Sequence, residues 1–180
     1  MKTKLFILLF SVVLLPAAAF FSSGNWKIAD DYTVAFDTGG AKGTFSGIDG
    51  DIIFDPNNLT GSSMDVSVKV GTIETGNNTK NRHARGESWF DAESYPTIRF
   101  VGNDFARSGS EYKVSGDLTL HGTTKQIEIP FTFSPDGSQA GLFEGSFTVN
   151  RKDYGIDGNF WGFMVGKDVE VSLRIPVKSR

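Results

Sequence analysis

The chain contains no cysteine. That absence excludes disulfides, thiolate metal sites, cysteine nucleophiles and a lipid-modified cysteine behind an export signal. Histidine occurs only at His83 and His121, too far apart for a zinc-ligand spacing. No G-x-S-x-G elbow and no phosphate-binding glycine loop is present. Aspartates and glutamates fall mostly at turns and outward strand positions, where solvated surface explains them better than acid–base chemistry. The sequence therefore reads as a non-enzyme with no cofactor. Basic charge is also short: the net charge is −3, and it becomes more negative once Lys2 and Lys4 leave with an N-terminal leader. An acidic exported chain is a poor partner for nucleic acid. Beyond the first residues, no apolar run reaches the length of a membrane-spanning helix.

The leader is read from its three parts. Lys2 and Lys4 give a charged start, Leu5 to Leu15 an apolar run broken by Ser11, and Ala17-Ala18-Ala19 a small-residue cleavage site. This is a secretory signal over residues 1–19. It leaves one domain over residues 20–180, about the length of a single core. The expected compartment is a bacterial periplasm, with secretion as the alternative. Two glycosylation sequons, at Asn58 and Asn77, are a pattern common by chance. A homodimer is compatible with the sequence.

Alternation of apolar and polar residues dominates the rest. Tyr32, Val34 and Phe36 share a face, as do Met64, Val66, Val68 and Val70. Ile127, Ile129, Phe131 and Phe133 alternate with polar neighbours and Pro130, and Val169 to Val177 closes the chain the same way. A period of two over this length means half-buried strands. Further strands are predicted at Gly50 to Phe54, Ile98 to Val101, Tyr112 to Leu120 and Gly141 to Val149. Pro130 inside a strand pattern implies an edge, a bulge or an outward-facing nitrogen. Glycines at 39, 40, 43, 47 and 50 fit the sharp bends of a small barrel better than a flat sandwich. An outer-membrane barrel would need spanning strands of roughly 9–11 residues, and its interior would have to absorb many charges. An apolar interior is the better reading.

Two features go beyond scaffold. Phenylalanine is abundant, at 16 of 180 residues; it supplies either an ordinary core or a ring-lined lumen able to hold one apolar molecule. The second is the stretch from Asn77 to Phe100, which breaks the strand pattern. It gathers Lys80, Arg82, His83 and Arg85, then Trp89-Phe90, then Tyr95-Pro96. Thr79 is a plausible N-cap for a short helix over Lys80 to Arg85. Arg82 and His83 are candidates for reading a ligand head group at a barrel mouth, with Trp89 and Phe90 pinning the insert to the rim. The plain alternative is a solvated turn whose charges pair internally with Asp91 or Glu93.

Several motifs resemble the YceI-like family of lipid- and polyisoprenoid-binding proteins. They begin with Trp26 to Phe36 and Gly43-Thr44-Phe45-Ser46-Gly47, then Asn77, His83, Trp89-Phe90-Asp91 and Tyr95-Pro96-Thr97-Ile98. Gly116 to Lys125, which contains His121-Gly122, and Arg151-Lys152-Asp153-Tyr154-Gly155-Ile156 follow in the family's order. The resemblance implies an all-β fold, an eight-stranded antiparallel lipocalin-like barrel with one short helical insert. It also implies that an isoprenoid-type lipid, polyprenyl or quinone-like, is carried in the lumen without turnover. The lumen residues would be Phe36, Phe45, Val66, Val68, Phe100, Leu118, Leu120, Ile129, Phe131, Phe147 and Val171. The chain departs from the family pattern at Lys80-Asn81, Ala84 and Trp89. These departures lie in the insert, so they bear on the head group or ligand class and not on the barrel. The competing readings are an interaction module with a self-filled core and a small hydrolase, for which no nucleophile can be named.

Overall fold

The structure, a computed structural model, describes residues 24–158 and 165–180. The leader over residues 1–19 and the mature start at Phe20 lie outside the described residues. Ten strands follow one another: β1 (Asn25–Ile28), β2 (Thr33–Asp37), β3 (Lys42–Phe45), β4 (Asp49–Ile53), β5 (Ser63–Lys69), β6 (Thr97–Ser108), β7 (Glu111–Leu120), β8 (Thr123–Asp136), β9 (Ala140–Asn150) and β10 (Asp168–Ser179). The insert between β5 and β6 carries α1 (Asn78–Arg85).

All the pairings are antiparallel, and the long β10 closes the ring. Its second half pairs with β1, matching Val177 to Ile28, and its first half pairs with β2, matching Val171 to Phe36. β1 and β2 are thus two pieces of one stave. β3 and β4 make another, because Phe45 pairs with Val34 and Ile52 with Trp26. The ten strands therefore build eight staves of a closed barrel. Glycine permits the break in the second stave. Gly47 has φ +69°, and Gly50 has φ +143° with its α-carbon so close to Asp65 that an added Cβ would meet the Asp65 carbonyl oxygen. The sequence reading found β2, β4, β5 and β7 to β10, and Ile98 to Val101 within the longer β6, but not β1 or β3, which are four residues each.

Pro130 lies at an edge within the barrel. The β8–β9 ladder runs from Asp136↔Ala140 to Phe131↔Gly145 and stops there, and Pro130 is the next position. From Thr123 to Pro130, β8 pairs with β7 alone. A missing N–H is harmless at this splay.

The base of the barrel, opposite the insert, is filled by rings. Phe54 is fully buried, and its ring centroid lies 5.1–5.9 Å from those of Phe105, Tyr112, Phe131, Phe133 and Phe143. Edge-to-face geometry dominates, as ring quadrupoles prefer. Trp26 joins through Phe133 and donates its indole N–H to the Phe54 carbonyl at 2.9 Å. Much of the phenylalanine excess is therefore an ordinary core. Phe54→Ala should destabilise the barrel by about 3–5 kcal/mol, seen as a lower urea midpoint at unchanged m; a shift under about 1 kcal/mol would mean that the plug does not support the fold.

Candidate ligand cavity and its mouth

Above the aromatic plug the barrel is hollow. A cavity of about 510 Å³ runs from Ile52, Val114, Phe131 and Phe143 up to the insert. The candidate lumen residues all line it: Phe36 and Phe45 from β2 and β3, Val66 and Val68 from β5, Phe100 from β6, Leu118 and Leu120 from β7, Ile129 and Phe131 from β8, Phe147 from β9 and Val171 from β10. Alternation put these side chains on one face, and barrel closure turns that face inward. The interior is thus part filled core and part cavity.

The mouth is built by the insert, the turn between β2 and β3, and the segment after β9. The helix starts two residues earlier than the sequence indicated. Asn77, not Thr79, is the N-cap: its backbone is extended and its Oδ1 accepts from the Thr79 and Lys80 amides, both at 3.0 Å. Asparagine is the stronger cap, and its carbonyl reaches both amides from that position. The helix is stitched down by Asn81, which is 3% exposed. Its Oδ1 accepts from the Thr75 amide and hydroxyl, both at 2.8 Å, and its Nδ2 donates to Glu74 at 2.8 Å. Glu74 exchanges backbone hydrogen bonds with Thr44 of β3, both at 2.9 Å. The hydrogen bond from Asn81, with help from the Gly76 amide, holds the Glu74 carboxyl below its usual range.

Trp89 and Phe90 are half-buried and line the cavity. Phe90 meets Phe45 edge-on at 5.7 Å, and the Arg151 guanidinium lies 5.2 Å from the Trp89 ring centroid. Arg151, 5% exposed, also donates to the carbonyls of Gly166, Val165 and Ile156. It joins the segment after β9 to the insert. Burial lowers its pKa from the usual value, but a guanidinium stays charged there. Tyr95 packs on His121 at 4.6 Å, and His121 Nδ1 lies 3.1 Å from the Tyr154 carbonyl, so that nitrogen carries the proton.

Of the head-group candidates, His83 lines the cavity and Arg82 does not, and both side chains are exposed. Neither side chain pairs with Asp91 or Glu93. Two lining cations were named in the sequence reading but not chosen as head-group candidates. Lys80 sits one helical turn before His83, a spacing that was visible, and Arg151 lies inside a quoted motif whose buried role no pattern revealed. Among the described residues, no group of side chains is arranged to hold a metal, and no helix is long and apolar enough to cross a membrane.

Asn81→Asp should reverse the local pH dependence. A second carboxylate facing Glu74 raises the pair's folded-state pKa, so stability is lost as pH rises through that value and regained on acidification. In the parent chain Glu74 is depressed, so its contribution is present above the ordinary carboxylate range and lost as pH falls. Thermal melts from pH 4 to pH 8 compare the two slopes; parallel profiles would overturn this reading of the Asn81–Glu74 contact.

The YceI-like domain family matches residues 26–177. A UPF0312 protein of Photorhabdus laumondii is 30% identical over 141 residues, covering 76% of this chain and 71% of that protein. Among solved structures, BcnA of Burkholderia cenocepacia superposes with a TM-score of 0.76 at 24% identity, over 81% of this chain and 95% of that one. A polyisoprenoid-binding domain from Saccharophagus degradans, implicated in plant cell wall breakdown, gives 0.71 at 13% identity, over 86% and 98%. These likenesses show the same barrel, and the match over nearly the whole described chain places this protein in the YceI-like family.

Proposed function

We propose that this protein is an exported, periplasmic carrier that sequesters an isoprenoid-type lipid in its lumen without chemical turnover. The observation that carries the reading is the apolar cavity of about 510 Å³, closed at its base by rings and open toward the insert. The polyisoprenoid binding named for the Saccharophagus degradans domain supports it. An isoprene unit contributes roughly 3–4 kcal/mol gross on burial, and association costs an estimated ~4–15 kcal/mol. One unit does not suffice, so the ligand is a chain of several. The apolar walls barely distinguish one tail from another, and discrimination falls to the mouth.

Organic extraction of protein purified from a native-like host, followed by mass spectrometry, tests the reading. A stoichiometric lipid is the expected result; consistently empty protein favours an interaction module. Val68→Trp places bulk into the cavity wall and should lower lipid content while the barrel still folds. In a packed core the same change would instead cost about 1–3 kcal/mol through overpacking. The double change Arg82→Ala with His83→Ala should weaken polar-headed isoprenoids and leave plain hydrocarbon chains nearly unaffected. Equal loss for both would make the insert mere scaffold.

A further inference from the structure

The barrel wall has a seam. Below it, β8 and β9 are paired from Asp136↔Ala140 to Phe131↔Gly145. Above that rung, residues 123–130 of β8 pair with β7 alone, and residues 146–150 of β9 pair with β10 alone. Pro130 has no N–H to offer the next rung, and its carbonyl oxygen stands 2.5 Å from where a Cβ on Gly145 would be. Over residues 146–150, at about 3.4 Å per residue, the seam is roughly 14 Å long. Two unpaired edges facing each other call for an explanation in a barrel, because closure is what removes edges.

The seam opens onto the cavity and is latched at its upper end. Ile129, Phe147 and Val149 face inward from its two sides and line the cavity. Ile129 and Val149 are buried, whereas Phe147 is half-buried, and its ring meets no other aromatic ring among the described residues. The turn Arg151–Tyr154 reaches from the end of β9 to the hairpin between β7 and β8. There His121 Nδ1 donates to the Tyr154 carbonyl at 3.1 Å, and Lys125 Nζ lies 3.8 Å from Asp153. The ion pair is about half exposed and holds weakly. The insert is fastened more heavily. Buried Asn81 bonds Thr75 and Glu74, Phe90 packs on Phe45, and Arg151 joins Trp89 to the segment after β9. A chain leaving under the insert must break those contacts, whereas one leaving between β8 and β9 breaks no ladder bond.

We propose that the seam between β8 and β9 is a side portal through which an apolar chain enters and leaves the lumen, with the Phe147 ring as its flap and the His121–Tyr154 contact as its latch. The portal rests on the lipid-carrier reading and adds a route to it.

The lack of native cysteine permits a clean test by cross-linking. In the mature chain, Glu128→Cys with Thr148→Cys puts one thiol on each lip of the seam. Both positions are exposed, neither lines the cavity, and continuing the Phe131↔Gly145 register sets them opposite each other. The probe is all-trans-retinol, an isoprenoid that accepts energy from tryptophan. Its uptake, and its release to phosphatidylcholine vesicles, are timed by stopped flow before and after a short bismaleimide bridges the thiols. Bridging should slow both rates by on the order of tenfold and leave Kd within about twofold, because a route sets rates and not end states. His121→Gly suits a turn position with φ +51°, removes the latch and should raise both rates. Phe147→Ala should raise the association rate, which the loss of a lumen contact alone would not do. Rates unchanged by the bridge, or by His121→Gly, would send the exchange under the insert and overturn the portal while keeping the carrier reading. Retinol bound neither by the parent chain nor by any variant would remove both.

Discussion

Closure of the hydrogen-bonded ring is the constraint from which the rest follows. Once β10 pairs with β9 on one side and with both β1 and β2 on the other, the ring turns one face of the staves inward. An eight-stave barrel is just wide enough for its own side chains to fill or for one slender ligand. This chain uses both solutions in series. Rings fill the base around Phe54, while smaller aliphatic residues such as Val66, Val68 and Leu118 leave the upper half hollow. The breaks at Gly47 and beyond Pro130 both concern how staves separate toward the mouth.

Covering that mouth poses a different problem, because an insert without strand pairing must satisfy its own polar groups. Asn81 does so for the loop before α1, and Arg151 does so for the segment after β9 by donating to three carbonyls. The departure from the family's pattern at position 81 makes physical sense in this setting. The residue faces Glu74, and an amide can donate where an aspartate would repel. A neighbouring carboxylate thus accounts for the asparagine without any appeal to ligand.

The barrel was legible in the sequence because its signal is local and redundant. Seven strands alternate over five or more residues, and a period of two needs only a few turns of the pleat to be recognised. β1 and β3 were not legible because four residues carry too little periodicity. Lumen positions followed from alternation plus the inference of closure. The mouth was harder. Thr79 and Asn77 are both capping residue types, with asparagine the stronger, and the extended backbone at Asn77 shows which one the helix uses. Choosing between Arg82 and Lys80 depends on helical phase relative to a barrel the sequence does not orient. Arg151 reads as surface in any pattern, since nothing local says that three carbonyls will converge on it.

Division of labour along the axis explains how the fold tolerates a cavity at all. Ion pairs among the described residues, such as Arg99–Asp65 and Lys113–Glu128, join side chains that are about half exposed. Such pairs contribute little each. Stability therefore resides in the strand ladders and in the plug, where Trp26, Phe54, Val114 and Val177 are essentially shut off from water. An empty lumen forfeits the contacts its lining would otherwise make, a cost like that of a large core cavity. A ligand that restores those contacts stabilises the folded state by mass action. The same apolar surface that the plug cannot reach is thus what gives the lumen its affinity.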